Sequence, residues 1–253
     1  MSIMTPEITL YRQAAERLRH CRHAVALTGA GISVESGIPD FRSEGGLWSR
    51  FDPMQFGHIE SFRRNPSKVW QMLLEMDALL SHSVPNGAHF ALAELEKLKR
   101  LKSVITQNVD SLHQRAGSTH VIEYHGHGRS LRCDQCGRAY ERQGLTWQEL
   151  PPRCTCGGPL RPNFVFFGEE IPPDAHRQAI DAARACDLML VVGTSGTVAP
   201  ASFLPGIAKE LGAFIIEINP ERTQLSARLS DLCIAERAGT ALPAIVVALD
   251  DIK

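Results

Sequence analysis

The chain has 253 residues, of which 43% are hydrophobic and 22% are charged, as in an ordinary globular protein. Its 27 Lys and Arg against 28 Asp and Glu leave a formal net charge of -1, which gives no overall attraction to nucleic acid or to an anionic membrane. No apolar run approaches the roughly 20 residues that cross a bilayer, and the start of the chain lacks the layout of a secretory signal. We therefore expect a cytoplasmic protein that binds neither membranes nor nucleic acid.

Short apolar runs alternate with amphipathic segments along most of the chain. The first helix is predicted at 12–20, and the first strand, at 23–28, ends just before a glycine loop. Further strands are predicted at 104–106, 121–124, 188–192 and 214–218, and further helices at 66–82, 88–100, 174–186 and 201–211. Near-continuous apolar strands separated by helices are typical of a parallel sheet covered on both faces. The pattern predicts an α/β fold with a Rossmann-like parallel sheet at its core.

Two stretches interrupt this alternation. Residues 43–85 are mostly helical in pattern, whereas residues 129–161 contain cysteines, are rich in Arg, Gly and Pro, and have little apolar periodicity. We predict a single domain over residues 1–253, in which a helical module (43–85) and a zinc module (129–161) build a smaller lobe over the sheet edge. The Rossmann-like core then comprises residues 8–42, 86–128 and 162–250.

Four of the seven cysteines form two close pairs, Cys133 with Cys136 and Cys154 with Cys156. In a reducing compartment such pairs indicate metal ligation rather than disulfides, and four thiolates make a closed tetrahedral site for one structural Zn²⁺. The second pair has a single intervening residue, and the glycine that follows it, Gly157, can supply the tight turn that this spacing requires. A disulfide, or a site lost through the shortened pair, is the alternative.

The other three cysteines, Cys21, Cys186 and Cys233, stand alone beside apolar residues. Free cysteine is among the most frequently buried residue types. We expect all three to be small buried thiols.

The glycine loop at 27–33 follows the first predicted strand, where a phosphate-binding loop belongs. By itself the loop is equally compatible with an ordinary turn. Its continuation, however, from Gly29 to Arg42, reads GAGISVESGIPDFR and closely resembles the first signature of the sirtuin family. Five further blocks follow in the family's order: TQNVD at 106–110, HG at 125–126, FGE at 167–169, GTS at 193–195 and NPE at 219–221.

The resemblance covers nearly the whole chain and implies an NAD-dependent protein-lysine deacylase. In this family the acyl group of a modified lysine passes to NAD, and the products are nicotinamide, O-acyl-ADP-ribose and free lysine. The implied cofactors are NAD as co-substrate and one structural Zn²⁺, and the implied partner is an acylated-lysine protein or peptide. A monomer is favoured.

The resemblance also assigns the NAD-binding residues. The glycine loop would hold the pyrophosphate and ribose. A lid between Gly37 and Gly46, on a loop that continues to Trp48, would cover the cofactor and shield it from water. The second block would hold the nicotinamide ribose and carboxamide, and the last blocks would contact the adenosine half. The implied residues are Gly29, Ala30, Gly31, Ile32, Ser33, Asp40, Phe41, Arg42, Trp48, Gln107, Asn108, Asp110, Gly193, Thr194, Ser195, Asn219, Pro220, Glu221 and Ala238.

The implied catalytic residues are His125 and Asn108. The active histidine of sirtuins lies eight positions before the first zinc cysteine, here Cys133, which indicates His125 rather than His127. An imidazole titrates near neutrality and can take a proton from a ribose hydroxyl at pH 7. Asn108 would hold the ribose and a water, although its block can also be an Asx-type turn after a strand. His113 is expected to be a packed, hydrogen-bonded histidine.

The segment at 163–169 resembles the part of sirtuins that pairs with substrate, where a peptide adds as a strand. Two helix positions, Leu73 and Met76, stand where the branch that removes negatively charged acyl groups has a tyrosine and an arginine. Without that arginine a buried carboxylate would have no partner, so we expect an apolar pocket for acetyl, with longer apolar chains as a second option. Gly196 occurs in the acid-preferring branch too. The implied substrate residues are Leu73, Met76, Val165, Phe167, Gly168 and Glu169.

Two rival functions remain open. The first is an NAD-dependent protein mono-ADP-ribosyltransferase that uses the same loop and base. The second is a non-catalytic NAD- or nucleic-acid-binding zinc module with a basic face. That face would be formed by Arg129, Arg132, Arg138, Arg142, Arg153 and Arg161.

Overall fold

The computed structural model describes residues 6–40, 47–142 and 149–251. Two of the residues assigned to NAD, Phe41 and Arg42, lie outside these ranges, and so does the side chain of Trp48. Within the described ranges, no helix has both the length and the apolar character that crossing a membrane requires.

The described residues form nine strands in two sheets. The strands are β1 (Ala24–Thr28), β2 (Ser103–Thr106), β3 (Val121–Glu123), β4 (Gly126–Cys133), β5 (Ala139–Glu141), β6 (Leu160–Phe164), β7 (Leu188–Val192), β8 (Phe214–Ile218) and β9 (Leu232–Ile234). Six of them form a parallel sheet in the order β3-β2-β1-β7-β8-β9. The strand order reverses between β1 and β7, and in such sheets ligands bind outside the carboxyl ends of the strands at this point.

The helices cover the parallel sheet and build the second lobe. They are α1 (Pro6–His20), α2 (Leu47–Arg50), α3 (Pro53–Phe56), α4 (Ile59–Arg64), α5 (Pro66–His82), α6 (Gly87–Lys97), α7 (Leu112–Arg115), α8 (Pro173–Ala185), α9 (Leu204–Glu210), α10 (Gln224–Arg228) and α11 (Ala238–Asp251), with 3₁₀ helices at Ala30–Ser36 and Ala201–Phe203.

The parallel sheet is buried on both faces, as its apolar strands predict. All five residues of β1 are buried, and successive side chains enter different hydrophobic clusters: Ala26 packs in the cluster of α1, α6 and α11, and Leu27 packs in the cluster of α8 and α9. This period of two is the geometry of an extended strand. Helix α6 begins where Asn86 accepts a hydrogen bond from the Ala88 N–H, which is the predicted cap.

The smaller lobe combines helices α2–α5 with an antiparallel sheet in the order β5-β4-β6. Its own core includes Phe62 and Trp70 from the helices and Leu160 from the sheet. The Trp70 indole N–H donates to the Leu160 carbonyl at 2.9 Å and so joins the two parts of the lobe. The sheet runs from Gly126 to Phe164, which pair with each other, and thus extends beyond the predicted limits of 129 and 161 on both sides.

Several details differ from the sequence-based expectations. The first helix begins at Pro6, and the stretch predicted as a helix at 201–211 divides into a 3₁₀ turn and α9, with Pro205 in the first turn of α9. The expectation of three buried lone cysteines is wrong for Cys233, which is exposed on the short edge strand β9, while Cys21 is half-buried and Cys186 is buried. β9 has a neighbouring strand on one side only, and its middle residue, Cys233, is the exposed one of its three.

Candidate active site

A cleft of about 1120 Å³ opens at the carboxyl ends of the parallel strands, between the sheet and the smaller lobe. We call it the cleft. Most of the residues that the sequence assigns to NAD, substrate and catalysis line it. These are Gly29, Ala30, Gly31, Asp40, Met76, Gln107, Asn108, His125, Val165, Phe167, Gly168, Glu169, Gly193, Thr194, Ser195, Asn219, Pro220 and Glu221.

The glycine loop is pressed against the loop that follows β7. The Gly31 N–H donates to the Gly193 carbonyl at 2.8 Å, and a Cβ placed on Gly31 would meet the Gly193 Cα at 2.8 Å. Gly193 itself has a φ of 59°, in the left-handed region. Glycine is therefore required here so that two backbones can approach closely at the floor of the cleft, which brings both predicted NAD-binding loops together.

Four residues that the sequence assigns to NAD are not part of the cleft wall: Ile32, Ser33, Asp110 and Ala238. Ile32 belongs to the hydrophobic core of the sheet, and Ala238 is buried in the first turn of α11. The Ser33 hydroxyl donates to Asp110 at 2.7 Å, and burial raises the pKa of the Asp110 carboxyl despite this hydrogen bond and one from the Leu112 N–H. In this structure these residues support the loop.

Asn108 is held in place by hydrogen bonds on both its side chain and its backbone. Its carboxamide Nδ2 donates to the Gly29 carbonyl and to the Ser33 hydroxyl, each at 3.1 Å, and its backbone N–H donates to the Thr106 hydroxyl at 3.1 Å. The Asx-type interaction considered for this block belongs instead to Asp110, which accepts from the backbone two residues later. Asn108 therefore connects the glycine loop to the end of β2 while its side chain faces the cleft.

The support continues beneath Asn108. The Thr106 hydroxyl also accepts from the Thr28 hydroxyl at 2.9 Å, and Thr28 contacts the His113 Nε2 at 2.9 Å. Burial and the neighbouring His89 lower the pKa of His113 to about 3, so this ring is neutral at physiological pH. His113 is a packed, hydrogen-bonded histidine, as expected.

His125 is presented to the cleft with a defined tautomer. Its Nδ1 lies 3.0 Å from the Gln107 carbonyl, which can only accept, so the proton of the neutral ring is on Nδ1 and Nε2 is left as the base. Burial lowers the pKa of His125, although the bond to Gln107 opposes that shift. His127, two residues on, is not part of the cleft wall. A neutral imidazole with an unprotonated Nε2 is what proton abstraction requires.

The segment assigned to the substrate is fixed by backbone hydrogen bonds to two neighbouring parts of the chain. The Val165 N–H donates to the His125 carbonyl at 2.9 Å, and Phe167 exchanges backbone hydrogen bonds with Gly57 and Ile59 at 2.9 and 3.0 Å. Gly168 turns the chain with a φ of 83°, where a Cβ would meet the His58 ring at 2.6 Å. The segment thus carries Phe167, whose side chain is 42% exposed, on a rigid wall of the cleft.

The apolar pocket differs in one position from the sequence-based prediction. Met76 lines the cleft, but Leu73 is only 2% exposed and belongs to the core of the smaller lobe around Trp70. Met72, four residues before Met76 and therefore on the same face of α5, is part of the cleft wall, although it is as buried as Leu73 and packs in the same core. Two thioether side chains, those of Met72 and Met76, therefore contribute to the wall of the cleft at α5.

The four clustered cysteines have the arrangement of a zinc site. Their Sγ atoms lie within 4.8 Å of one another, with Cys133 to Cys156 at 3.5 Å and Cys136 to Cys154 at 3.6 Å. Zinc–sulfur bonds of about 2.3 Å in a tetrahedron place the sulfurs about 3.8 Å apart, whereas a disulfide needs about 2.05 Å. The four cysteines therefore fit one Zn²⁺ closed by thiolates, and the disulfide alternative does not fit.

The shortened second pair is accommodated by the turn that follows it. Gly157 has a φ of 87°, and a Cβ on Gly158 would meet the Cys133 Sγ at 2.7 Å. The Tyr140 hydroxyl also donates to the Cys154 Sγ at 3.0 Å, which stabilises a thiolate there. Two glycines and one hydroxyl thus make the single-residue spacing compatible with four ligands.

Residues 29–200 match the model of the Sir2 family, which is more than half of the chain. This chain belongs to the Sir2 family. A protein of Pyrobaculum aerophilum named NAD-dependent protein deacylase 2 is 46% identical over 233 residues, covering 92% of this chain and 93% of the relative. One of Aeropyrum pernix named NAD-dependent protein deacylase is 47% identical over 231 residues, covering 89% and 92%.

Solved structures of the Sir2 family have the same fold. A Sir2 homolog–NAD complex is 41% identical, with a TM-score of 0.89 over 94% of this chain and 93% of the other. A Sir2 variant with a deacetylated p53 peptide and 3′-O-acetyl ADP-ribose is 34% identical, with a TM-score of 0.89 over 93% and 97%.

The Sir2 motifs in the sequence did not point to every residue of the cleft. Met72, Arg222 and Arg237 also line it, and so does Glu35, which lies inside the first block but has no role assigned there. Arg222 directly follows the NPE block, whereas Arg237 directly precedes α11, which starts beside the 3₁₀ helix that carries Glu35. The Gly239 N–H at that start donates to the Glu35 carboxylate at 2.8 Å.

The arginines of the zinc segment do not form the basic face that a nucleic-acid-binding module requires. Four of the six are paired with carboxylates: Arg129 with Glu123, Arg132 and Arg161 with Glu169, and Arg142 with Asp77. The guanidiniums of the other two, Arg138 and Arg153, donate to Thr155 and to the Gly157 carbonyl. Because most of the positive charge is neutralised within the lobe, the electrostatic footprint of a nucleic-acid site is missing from the described residues.

Proposed function

We propose that this chain is an NAD-dependent protein-lysine deacylase that transfers an acyl group from a lysine of a protein or peptide to ADP-ribose. The observation that carries the proposal is the meeting of His125, Asn108 and the rigid segment at 165–169 in one cleft that also contains both glycine loops. The names of the relatives, and the peptide and acetylated ADP-ribose in a related structure, support the same reaction.

Each side chain has a defined task in this proposal. NAD, when bound, supplies the ribose hydroxyl that accepts the acyl group and the nicotinamide that leaves. His125 takes the proton of that hydroxyl at Nε2, while its Nδ1–H stays on Gln107. Asn108 orients the ribose from a position fixed by Gly29 and Ser33, and the segment at 165–169 forms the wall of the cleft against which the peptide binds.

The decisive experiment is incubation of the protein with NAD and an acetyl-lysine peptide. We expect nicotinamide, deacetylated peptide and O-acetyl-ADP-ribose in equal amounts, measured by mass spectrometry. A mono-ADP-ribosyltransferase would instead release nicotinamide and leave ADP-ribose attached to protein. Nicotinamide release without deacetylated peptide would overturn the proposal.

Because zinc thiolates persist best under reducing conditions, we also propose that the reaction takes place in the cytoplasm.

The dependence of the rate on pH should report the His125 base. Burial lowers its pKa below the ordinary 6.5, and only the neutral ring can accept a proton. We therefore expect kcat/KM to be level near neutral pH and to fall about tenfold per pH unit below that lowered pKa. Initial rates from pH 5 to 8 at low peptide concentration would measure this; an acidic limb with a midpoint above 6.5 would contradict the assignment.

The acyl pocket can be tested by introducing the missing cation. Met76→Arg places a guanidinium at the apolar end of the cleft, where it can pair with the carboxylate of a succinyl-lysine. We expect the ratio of kcat/KM for succinyl to acetyl peptides to rise about tenfold or more, which corresponds to about 1.4 kcal/mol. Competition between the two peptides in one reaction measures the ratio.

A matched control is Leu73→Ala, three positions before Met76 but in the core of the lobe. It should lower the free energy of unfolding by about 2–5 kcal/mol and leave the acyl ratio unchanged. If Leu73→Ala altered the ratio and Met76→Arg did not, the assignment of the pocket to the Met72–Met76 face of α5 would be wrong.

A further inference from the structure

A buried guanidinium connects the zinc lobe to the wall of the cleft that is assigned to the peptide. Arg161, on β6, has no exposed surface. Its Nη1 and Nη2 donate to the two oxygens of the Glu169 carboxylate at 2.8 and 2.5 Å, and Nη2 also donates to the Phe164 carbonyl at 2.7 Å. The bidentate pair fixes both the distance and the plane of the carboxylate.

The carboxylate transmits this constraint to the backbone of the wall. One oxygen of Glu169 also accepts from the Phe166 N–H at 2.9 Å, and the Glu169 N–H donates to the Phe166 carbonyl at 3.1 Å. The Arg161 guanidinium lies 4.5 Å from the centre of the Phe166 ring. The turn at 164–169 is therefore held from inside by Arg161, while the more exposed Arg132 adds a contact to the same carboxylate at 3.2 Å. Phe164, Phe166 and Glu169 all line the cleft.

The same guanidinium reaches the zinc site. Its Nη1 lies 3.5 Å from the Asp134 carboxylate, and Asp134 lies between the ligands Cys133 and Cys136. The Asp134 N–H in turn donates to the Pro159 carbonyl at 3.0 Å, two residues before Arg161. The zinc loop thus supplies part of the negative charge that surrounds the buried cation.

A buried charge of this kind is a poor way to stabilise a fold. Desolvation costs several kcal/mol for each ion, and an apolar residue of similar volume often stabilises a core as well or better. The Arg161–Glu169 pair instead provides directional hydrogen bonds to the backbone of Phe164 and Phe166. An apolar side chain could not orient that backbone. The NAD side of the cleft is held independently, through the backbone bond from Gly31 to Gly193 and the Asn219 bond to the Thr194 carbonyl.

We propose that Arg161 is a positioning residue for the acyl-lysine substrate: it couples the zinc loop through Asp134 to the wall at 164–169 and thereby sets the affinity for peptide without changing the affinity for NAD. The inference rests on the proposed function for the identity of the ligand. The coupling between the zinc loop and the wall does not depend on the proposed function.

The first test separates peptide from NAD in steady-state kinetics. We expect Arg161→Met to raise the KM for an acetyl-lysine peptide by about tenfold to a hundredfold, while the KM for NAD and the Kd for ADP-ribose, measured by calorimetry, change less than about twofold. Arg161→Lys keeps the charge but loses the bidentate fork, so it should be intermediate. Arg177→Met, which removes an exposed arginine from α8, is the matched control and should change neither constant.

The second test requires no catalysis. Hydrogen exchange measured by mass spectrometry should show faster exchange of the amides at 164–169 in Arg161→Met and Glu169→Gln, with exchange at 29–33 unchanged. If Arg161→Met does not fold, Arg161→Lys and Glu169→Gln provide the same comparison. Unchanged exchange at 164–169, or equal rises of the KM values for peptide and NAD, overturns the coupling. Faster exchange in a protein whose wild type does not deacylate would instead refute the proposed function and leave the coupling standing.

Discussion

Replacement of His125 with alanine should lower kcat/KM for deacylation by about 10²- to 10⁴-fold, the range that a general base contributes. The Gln107 carbonyl fixes the proton on Nδ1, so the ring has one nitrogen able to accept a proton in the cleft, and alanine has none. Formation of deacetylated peptide, followed by mass spectrometry under single-turnover conditions, measures the loss. Binding of ADP-ribose should be retained, because the loops that hold it do not depend on the imidazole.

The matched control for this prediction is His127→Ala. This histidine is two residues away and half-buried, but it is not part of the cleft wall. Its loss should change kcat/KM by no more than a few-fold. Equal losses in the two variants would show that the effect is structural and would remove His125 from the catalytic role.

The elements that the sequence predicts well are those whose local pattern and tertiary environment agree. β1 is apolar throughout because it is buried on both faces, and its residues alternate between two cores. The glycines after it are required by the contact with Gly193, which any chain with this loop packing must satisfy. The order of the motifs therefore identified both the sheet and the floor of the cleft.

What the sequence could not predict depends on side-chain direction. The resemblance places Leu73 in the acyl pocket, but Leu73 packs in the lobe core and is not part of the cleft wall, whereas its equally buried neighbour Met72 is. Ser33 lies within a phosphate-binding motif, yet its hydroxyl supports Asn108 from behind. The direction of a side chain cannot be predicted from its own segment alone, because it depends on how that segment packs against the rest of the protein.

The pairing of charged residues is hidden from the sequence for a similar reason. Arg161 belongs by sequence to an arginine-rich segment, and Glu169 belongs to a family block assigned to substrate. In the structure they neutralise each other at 2.5 Å. A count of charges along the chain cannot reveal such a pair, because the partners come from opposite sides of a turn and meet only when β6 is in place.

Removal of zinc should abolish deacylation and unfold the smaller lobe while the parallel sheet persists. The antiparallel sheet is small, with β5 only three residues long, and two of the four cysteines, Cys133 and Cys154, are buried in the core of the lobe. Structural zinc contributes about 10–16 kcal/mol of apparent binding free energy in small domains, more than so small a core can replace. Circular dichroism melts with and without a strong chelator, together with colorimetric detection of released zinc, measure the effect.

The variant that isolates the metal is Cys136→Ser, because Cys136 is exposed and its replacement removes a ligand but little packing. Cys233→Ser is the matched control, an exposed thiol on β9 far along the chain from the metal ligands, and should behave as wild type. Because Asp134 lies inside the zinc loop and contacts Arg161, affinity for the acetyl peptide should be lost with the metal, while ADP-ribose still binds to the sheet. Full peptide affinity in Cys136→Ser, with zinc absent by direct measurement, would mean that the wall at 164–169 keeps its shape without the metal.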